Sequence, residues 1–295
     1  IFAKQLFGIA ITELTALMSR RTVYGSKKAN GKYSFCDAFS DEEGNIRYKR
    51  IKHTWKDGRC IYCGTSQQVF DRGDDAETYA YNFIHLENPL ELFNQPNMKF
   101  NVIIGNPPYQ LKDGGGRGSS AKPIYHLFIE QAKKLNPRYL CMIIPARWYS
   151  GGKGLDDFRN KMLADRRIKK LVDYEDSRDC FPGVDIAGGI CYFLWQNDYD
   201  GICEVENIRK SQKHVALRFL DEYETFIRDN LAIRIVQKVK ENCDSFLDDV
   251  VSSRMPFGIP SNAPFDDDGD LNLITNSGRG KILSRRVTKR TRPNQ

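Results

Sequence analysis

Hydrophobic residues along the chain fall into short continuous runs separated by segments with helical periodicity. The continuous runs predict strands at residues 6–11, 100–105, 139–144, 168–174 and 190–195. Apolar residues three and four positions apart predict helices after Thr12, which suits an N-cap, and at 124–135 and 155–163. Strands that alternate with helices in this way are typical of an α/β domain with a doubly wound, mainly parallel sheet.

The alternation is interrupted once and then fades towards the C-terminus. Residues 26–66 carry short alternating stretches and clustered turn residues, which predict a hairpin-rich insertion. We therefore expect one α/β domain formed by residues 1–25 and 67–207. Residues 208–295 are expected to add a helix near 223–239 and a polar tail.

Composition narrows the class of protein. The 295 residues include 40% hydrophobic ones, enough for a large domain, and no apolar run approaches the roughly 20 residues that cross a bilayer. The net charge of +7, with basic residues crowded at 279–292, favours an anionic partner such as nucleic acid, although a solvated tail is the alternative. Eight cysteines without a secretory signal favour a reducing, cytoplasmic compartment.

The sequence Asn-Pro-Pro-Tyr at Asn106, Pro107, Pro108 and Tyr109 comes directly after the strand predicted at 100–105. In open α/β sheets, ligands bind at the carboxyl ends of the strands. Two consecutive prolines fix two φ angles and remove two N–H donors, so the turn that presents its neighbours is stiff. The motif predicts a catalytic turn; a proline-rich turn with no role in catalysis is the alternative.

These residue types suit chemistry on an amino group attached to an aromatic ring. Such an amine is a weak nucleophile because its lone pair is delocalised into the ring. The side-chain oxygen of Asn106 and the carbonyl of Pro107 are two acceptors that can return electron density to the nitrogen. Tyr109 can stack on a base that has left the duplex.

With this motif the chain resembles the DNA adenine-N6 methyltransferases of restriction–modification systems over about residues 1–207. Supporting segments are the strand end at 143–146 with the following Arg-Trp-Tyr, and Phe-Pro-Gly-Val at 181–184. The resemblance implies a Rossmann-like methyltransferase fold, double-stranded DNA with a flipped adenine as substrate, and base packing by Phe181. A loop aromatic that covers the core is the alternative for Phe181.

The same resemblance implies S-adenosylmethionine as methyl donor. Ala10 stands where the family places an acidic residue after its second strand, and Glu13 is the nearest substitute, although a first-turn acid favoured by the helix dipole fits equally. Glu87 or Asn88 matches a second donor contact, after the third strand. The family's glycine-rich loop has no match here, so we expect part of the cofactor site to be missing. The glycines at 114–116 are expected to form a loop over the substrate or a surface linker.

Cysteine and histidine residues gather within the predicted insertion. Cys60 and Cys63 have the two-residue spacing of zinc knuckles, His53 lies seven residues earlier, and Cys36 is a candidate fourth ligand. A structural zinc ion in a zinc-ribbon-like insertion is the favoured interpretation. Thiols with no shared role are the alternative, and a redox pair is disfavoured because the helix-start context is missing.

The leading hypothesis is S-adenosylmethionine-dependent methylation of adenine N6 in DNA, in the cytoplasm of a bacterium or archaeon. A restriction endonuclease and a target-recognition domain, fused or separate, are the expected partners. The helix and tail of residues 208–295 resemble the start of a target-recognition region, and residues 1–25 and 67–207 are then the methyltransferase catalytic domain. Three alternatives stay open. They are a fold-mate that methylates another planar amine (RNA adenine or protein glutamine), a catalytically incomplete DNA-binding fragment, and a zinc-containing structural protein.

Overall fold

A computed structural model describes residues 3–71, 79–95, 97–111, 122–243, 271–277 and 281–287. The helices are α1 (Glu13–Tyr24), α2 (Gln67–Phe70), α3 (Asn82–His85), α4 (Tyr125–Lys134), α5 (Asp156–Ala164) and α6 (Ala232–Asn242). The strands are β1 (Gly8–Ile9), β2 (Ile46–Arg47), β3 (Ile51–Lys52), β4 (Trp55–Lys56), β5 (Arg59–Cys60), β6 (Tyr79–Ala80), β7 (Val102–Gly105), β8 (Gln110–Leu111), β9 (Lys122–Pro123), β10 (Tyr139–Pro145), β11 (Ile168–Tyr174), β12 (Ile190–Gln196), β13 (Cys203–Arg209), β14 (Gln212–Arg218), β15 (Leu271–Ser277) and β16 (Lys281–Val287).

A six-stranded sheet in the order β14-β13-β11-β12-β10-β7 organises the first of two compact units, Ile1–Ala232. Strands β7 and β10 are parallel, as are β11 and β13, whereas β12 runs antiparallel to both its neighbours. The sheet is therefore mixed, so the prediction of a mainly parallel sheet is confirmed only in part. The physical reason is that the segment between β11 and β12 contains one short 3₁₀ helix, Ser177–Asp179, and no α-helix of the kind that usually connects parallel strands.

The main hydrophobic core covers one face of this sheet. Leu140, Met142 and Ile144 of β10 point to that face and are buried, together with residues of α4 and α5. The opposite face differs, because Val102 and Ile104 of β7 are 53% and 76% exposed. A doubly wound sheet has helices on both faces, and among the described residues this second face of β7 is open.

The N-terminal strand and the segments around residues 25 and 207 make contacts that the sequence did not predict. The strand expected at 6–11 is reduced to β1, which pairs in parallel with β2 rather than joining the main sheet. Residues on both sides of position 25 share a small apolar cluster that contains Tyr24, Ala29 and Ile46. The main sheet also continues past residue 207, since β13 and β14 form a hairpin whose two-residue turn has positive φ at both positions.

The second compact unit, Ile233–Gln295, contains most of α6 and the antiparallel pair β15 and β16. The side chains of the basic group at 279–292 and the glycines at 114–116 lie outside the described residues. In the described ranges, helices are too short or too polar to span a membrane.

Candidate active site

The topology brings several loops to one edge of the main sheet. Strands β7, β10 and β11 point the same way, because β12 is antiparallel to both β10 and β11. Asn106 directly follows β7, and the loop that contains Phe181 follows β11. The catalytic turn predicted from the sequence and the predicted stacking aromatic therefore lie at the same edge, where α/β sheets bind their ligands.

A cavity of about 500 Å³ opens beside the turn. Residues 5–11, the segment 81–83 and Asn106 to Pro108 contribute to its wall. Cavities of this size hold cofactors and other small molecules. Asn106 is exposed and lines the cavity, so its side-chain amide is available to a ligand rather than used by the core.

The turn is held at both of its ends. Pro107 is buried, and Pro108 is half-buried. The backbone N–H of Ile124 donates to the carbonyl of Tyr109 at 3.2 Å, and the β8–β9 pair begins directly after Tyr109. The prolines and these backbone hydrogen bonds give Asn106 a fixed position relative to the cavity.

Tyr109 is half-buried and stays uncharged. Burial raises the pKa of Tyr109 to about 12, and the thiols of Cys180 and Cys191 add to the effect. Its hydroxyl is buried without a hydrogen-bond partner in the part of the chain that the structure describes. Cys180 precedes Phe181 in the chain, and Phe181 is half-buried in the loop after β11.

Comparison with known proteins supports the interpretation of the turn at Asn106 as a methylase motif. The model of the Eco57I restriction-modification methylase family matches residues 4–181, which is more than half of the chain and includes the whole turn. The chain belongs to this family. A protein of Mycoplasma pneumoniae described as an uncharacterized adenine-specific methylase is 41% identical over 221 residues, which are 68% of this chain and 52% of that protein. The chain thus spans about half the length of this relative.

Solved structures of type I restriction-modification proteins are more distantly similar. A methyltransferase subunit from Streptococcus thermophilus matches with a TM-score of 0.27 and 12% identity, over 50% of this chain and 33% of that one. A modification subunit of a putative type I enzyme from Vibrio vulnificus matches with a TM-score of 0.27 and 12% identity, over 67% and 39%. At these TM-scores the similarity supports no structural argument.

The residues predicted to contact the methyl donor in this Eco57I-family chain lie outside the cavity wall. Glu13 is exposed in the first turn of α1, and Glu87 is exposed after α3. Asn88 caps a 3₁₀ turn, where its side chain accepts a hydrogen bond from the N–H of Leu90 at 3.0 Å. That local bond gives Asn88 a role in the fold.

Asn82 is a candidate site residue that the sequence analysis missed. It is 1% exposed and lines the cavity, and neither atom of its side-chain amide has a hydrogen-bond partner among the described residues. Phe83 beside it is half-buried and also lines the cavity. A polar residue two positions after the short strand β6 is a signal that could have marked the position, since ligand sites lie at strand ends.

A larger cleft of about 710 Å³ lies away from the turn. It is lined by Asp165, Lys133 and neighbouring residues near the amino end of β11, which is the opposite edge of the sheet. Its ionic groups pair with one another, since Lys133 Nζ lies 2.8 Å from Asp165 Oδ2. We therefore place the candidate active site in the smaller cavity, at the carboxyl ends of the strands.

The structure brings His53, Cys60 and Cys63 together, as the sequence predicted, and adds His85 at the end of α3. The sequence analysis proposed Cys36 as the fourth ligand, but Cys36 does not lie in this group. It is half-buried and packs against the small cluster around Tyr24. A hydrogen bond between the Cys63 and Cys60 thiols is the main cause that holds the pKa of Cys60 below its ordinary value.

Proposed function

We propose that the chain is part of an S-adenosylmethionine-dependent enzyme that methylates N6 of adenine in DNA. The observation that carries this proposal is the placement of Asn106, exposed on a cavity wall at the start of a turn anchored by the buried Pro107. Family membership and the similarity to an adenine-specific methylase support the choice of substrate.

The role of the turn follows from the electronics of the target amine. The Asn106 side-chain oxygen and the Pro107 carbonyl would accept hydrogen bonds from the two N6 protons and hold the lone pair towards the methyl carbon. Methyl transfer would form the bond between N6 and the methyl carbon with loss of the donor's carbon–sulfur bond, and one N6 proton would pass to solvent. This route requires neither a covalent enzyme intermediate nor a strong base.

Aromatic residues near the turn would hold a base that has left the duplex. Tyr109 directly follows the prolines, and its phenol is neutral at physiological pH, as suits stacking on a base. Phe181 would pack on the base from the loop after β11. Holding the base in this way places its amine beside Asn106.

The cavity fits the methyl donor in size and in chemistry. Its volume of about 500 Å³ suits a nucleoside-sized cofactor, and the unpartnered Asn82 amide offers one donor and one acceptor to the adenine or the ribose. Phe83 offers an aromatic face. When it is bound, S-adenosylmethionine supplies the electrophilic methyl group.

Duplex DNA is the partner that this reaction requires, and the net charge of +7 suits a polyanion. A target-recognition domain would select the sequence, since the turn itself reads only an adenine. A restriction endonuclease, fused or separate, is the further partner that we propose from family membership.

Replacement of Asn106 by alanine in the full-length protein tests the proposal. Because Asn106 is exposed, we expect stability to stay within about 0.5 kcal/mol, while transfer of labelled methyl groups to adenine-containing DNA falls by a factor of about 10² or more. Loss of one well-placed acceptor in a catalytic site has an effect of this size.

Asn101→Ala is the matched control, because Asn101 is an exposed asparagine just before the other end of β7. This control should keep normal transfer. Near-normal methylation by Asn106→Ala would overturn the assignment of roles. Parallel assays with RNA and with a glutamine-containing peptide identify another planar amine if DNA is not methylated.

A further inference from the structure

Four metal-binding side chains from separate segments meet in the interior. His53 lies between β3 and β4, Cys60 ends β5, Cys63 follows three residues later, and His85 ends α3. Their ligand atoms all lie within 4.8 Å of one another. All four residues are buried, with exposed fractions of 2–8%.

The spacing of these atoms fits tetrahedral zinc. Bonds of about 2.3 Å to sulfur and about 2.1 Å to nitrogen set ligand atoms roughly 3.3–3.8 Å apart. Cys63 Sγ and His53 Nδ1 are 3.6 Å apart. Because all these atoms lie within 4.8 Å of one another, the remaining distances need to change by no more than about 1.5 Å, within the reach of side-chain rotation.

His85 is oriented as a ligand. Its Nδ1 lies 2.9 Å from the carbonyl of Tyr81 and donates to it, which leaves the lone pair on Nε2. Nε2 is buried and has no hydrogen-bond partner in the described ranges. Metal-binding histidines commonly donate their second ring N–H to a carbonyl in this way, and a cation would satisfy the orphaned nitrogen.

The backbone around the two cysteines is shaped for the cluster. Asp57 and Gly58 both have positive φ, the conformation of a tight turn between β4 and β5. After Cys63 the chain turns at Gly64, whose φ is +64° and whose N–H donates to the carbonyl of Cys60 at 2.8 Å. Lys122 donates to the carbonyl of Cys63 at 3.0 Å, which joins this turn to β9.

Aromatic rings surround the cluster. Trp55 stacks on His53 with ring centroids 5.1 Å apart, Phe70 contacts the same imidazole at 5.8 Å, and Tyr62 contacts His85 at 5.8 Å. These rings limit the access of water. Two thiolates would neutralise a dication in such surroundings, whereas two neutral thiols and an unpartnered imidazole would gain no such pairing.

We propose that His53, Cys60, Cys63 and His85 bind one structural zinc ion. Four protein ligands fill the tetrahedral shell and leave no position for substrate, so the ion has a structural role. It ties the β4–β5 hairpin to α3, the helix that begins with the cavity residue Asn82. This inference does not depend on the methylation chemistry.

Metal analysis of the purified full-length protein tests the proposal. We expect one zinc per chain by plasma mass spectrometry, and the same content in the matched control Cys36→Ser, whose thiol lies outside the cluster. Cys63→Ser and His85→Ala should lose at least half of the zinc and lower the Tm by more than about 5 °C. Retention of full zinc content by His85→Ala would overturn the ligand set.

Cobalt substitution of the unmodified protein keeps the test independent of variant folding. Tetrahedral cobalt bound by two thiolates should give visible ligand-field bands and sulfur-to-metal charge transfer in the near ultraviolet. Protein purified from zinc-supplemented cells that contains no zinc and gives no such spectrum would refute the site. Loss of metal from Cys36→Ser would restore the ligand set predicted from the sequence.

Discussion

Two regions of the first unit contain buried polar side chains, and they differ in whether these side chains have hydrogen-bond partners. Near the amino end of β11, Asp165 accepts from Lys133 Nζ at 2.8 Å and from Trp195 Nε1 at 3.0 Å. Around α3, both side-chain amide atoms of Asn82 and Nε2 of His85 are buried without partners among the described residues. Folded proteins satisfy nearly all buried polar groups, so the second region marks where a ligand is expected.

A further satisfied group lies towards the carboxyl end of β11. Arg228 holds Asp173 with two hydrogen bonds, Nε to Oδ2 at 2.7 Å and Nη2 to Oδ1 at 2.8 Å. Asn207 and Asn230 complete a network around this pair. The difference teaches that burial of a polar group does not by itself indicate function. A buried polar group that its own chain leaves without a partner is the better indicator of a ligand site.

Removal of Arg228 should give the largest effect. In Arg228→Ala the Asp173 carboxylate, 4% exposed in the ion pair, stays buried without its partner. We expect the free energy of unfolding to fall by about 3–5 kcal/mol, measured by urea denaturation. Lys161→Ala is the control, because Lys161 forms an exposed pair with Glu130 and should change the midpoint little. A loss below about 1 kcal/mol in Arg228→Ala would break the comparison.

The Asp165 carboxylate should give an intermediate, pH-dependent effect. Burial alone would raise its pKa, but the hydrogen bond from Arg167 and the charge of Lys133 lower the pKa of Asp165 to about 2. A pKa below the unfolded value of about 3.9 stabilises the fold by about 2 kcal/mol. This contribution is fully present above about pH 5 and is lost as pH falls through about 2.

Urea denaturation of the unmodified protein and Asp165→Asn between pH 7 and pH 2.5 measures this contribution. The fluorescence of Trp195, which donates to Asp165, serves as a probe of unfolding near this residue. The difference in unfolding free energy should shrink as the pH falls below about 4. A difference that stays constant across this range would show that the satisfied region owes nothing to the charge of Asp165.

The sequence predicted the long elements of the fold well. Strand β11 has the predicted bounds, and β10, β12, α4 and α5 differ from the predicted ranges by at most two residues at an end. Their apolar runs or helical periodicity are strong local signals. Strands β13 and β14 were missed, because charged residues interrupt their apolar positions and the pairing is recognised only in the assembled sheet.

The sequence predicted those parts of the candidate sites that are formed by residues close together in the chain. The turn at Asn106 is a contiguous motif. The cluster at Cys60 and Cys63, in contrast, includes His85, which lies 22 residues after Cys63 in the chain. Contacts between distant segments leave no periodic signal in one sequence. Cys36 was proposed as a fourth ligand reaching across the intervening hairpin, but it packs against the separate cluster around Tyr24.

Substitution of Asn82 should give the smallest change in stability. It is also the most direct test of the contrast between buried polar groups with and without partners. Leucine has nearly the same shape and needs no hydrogen bond, so Asn82→Leu should leave the unfolding free energy unchanged or raise it by up to about 1 kcal/mol. The matched control is Asn230→Leu, since Asn230 donates to the carbonyls of Val205 and His214 at 2.8 and 2.9 Å. That control should lose about 1–3 kcal/mol, because it orphans two buried carbonyls.

For binding of the methyl donor, the expected order of the two variants is reversed: Asn82→Leu should have the larger effect and Asn230→Leu the smaller. If the Asn82 amide is kept unpartnered for S-adenosylmethionine, calorimetry on the full-length protein should show binding weakened about tenfold in Asn82→Leu, the equivalent of about 1.4 kcal/mol. Asn230 lies outside the cavity wall, so its variant should bind normally wherever it remains folded. Equal destabilisation of both variants, with unchanged donor binding, would mean that Asn82 serves the fold as Asn230 does, and that an unpartnered group on this wall does not mark the cofactor.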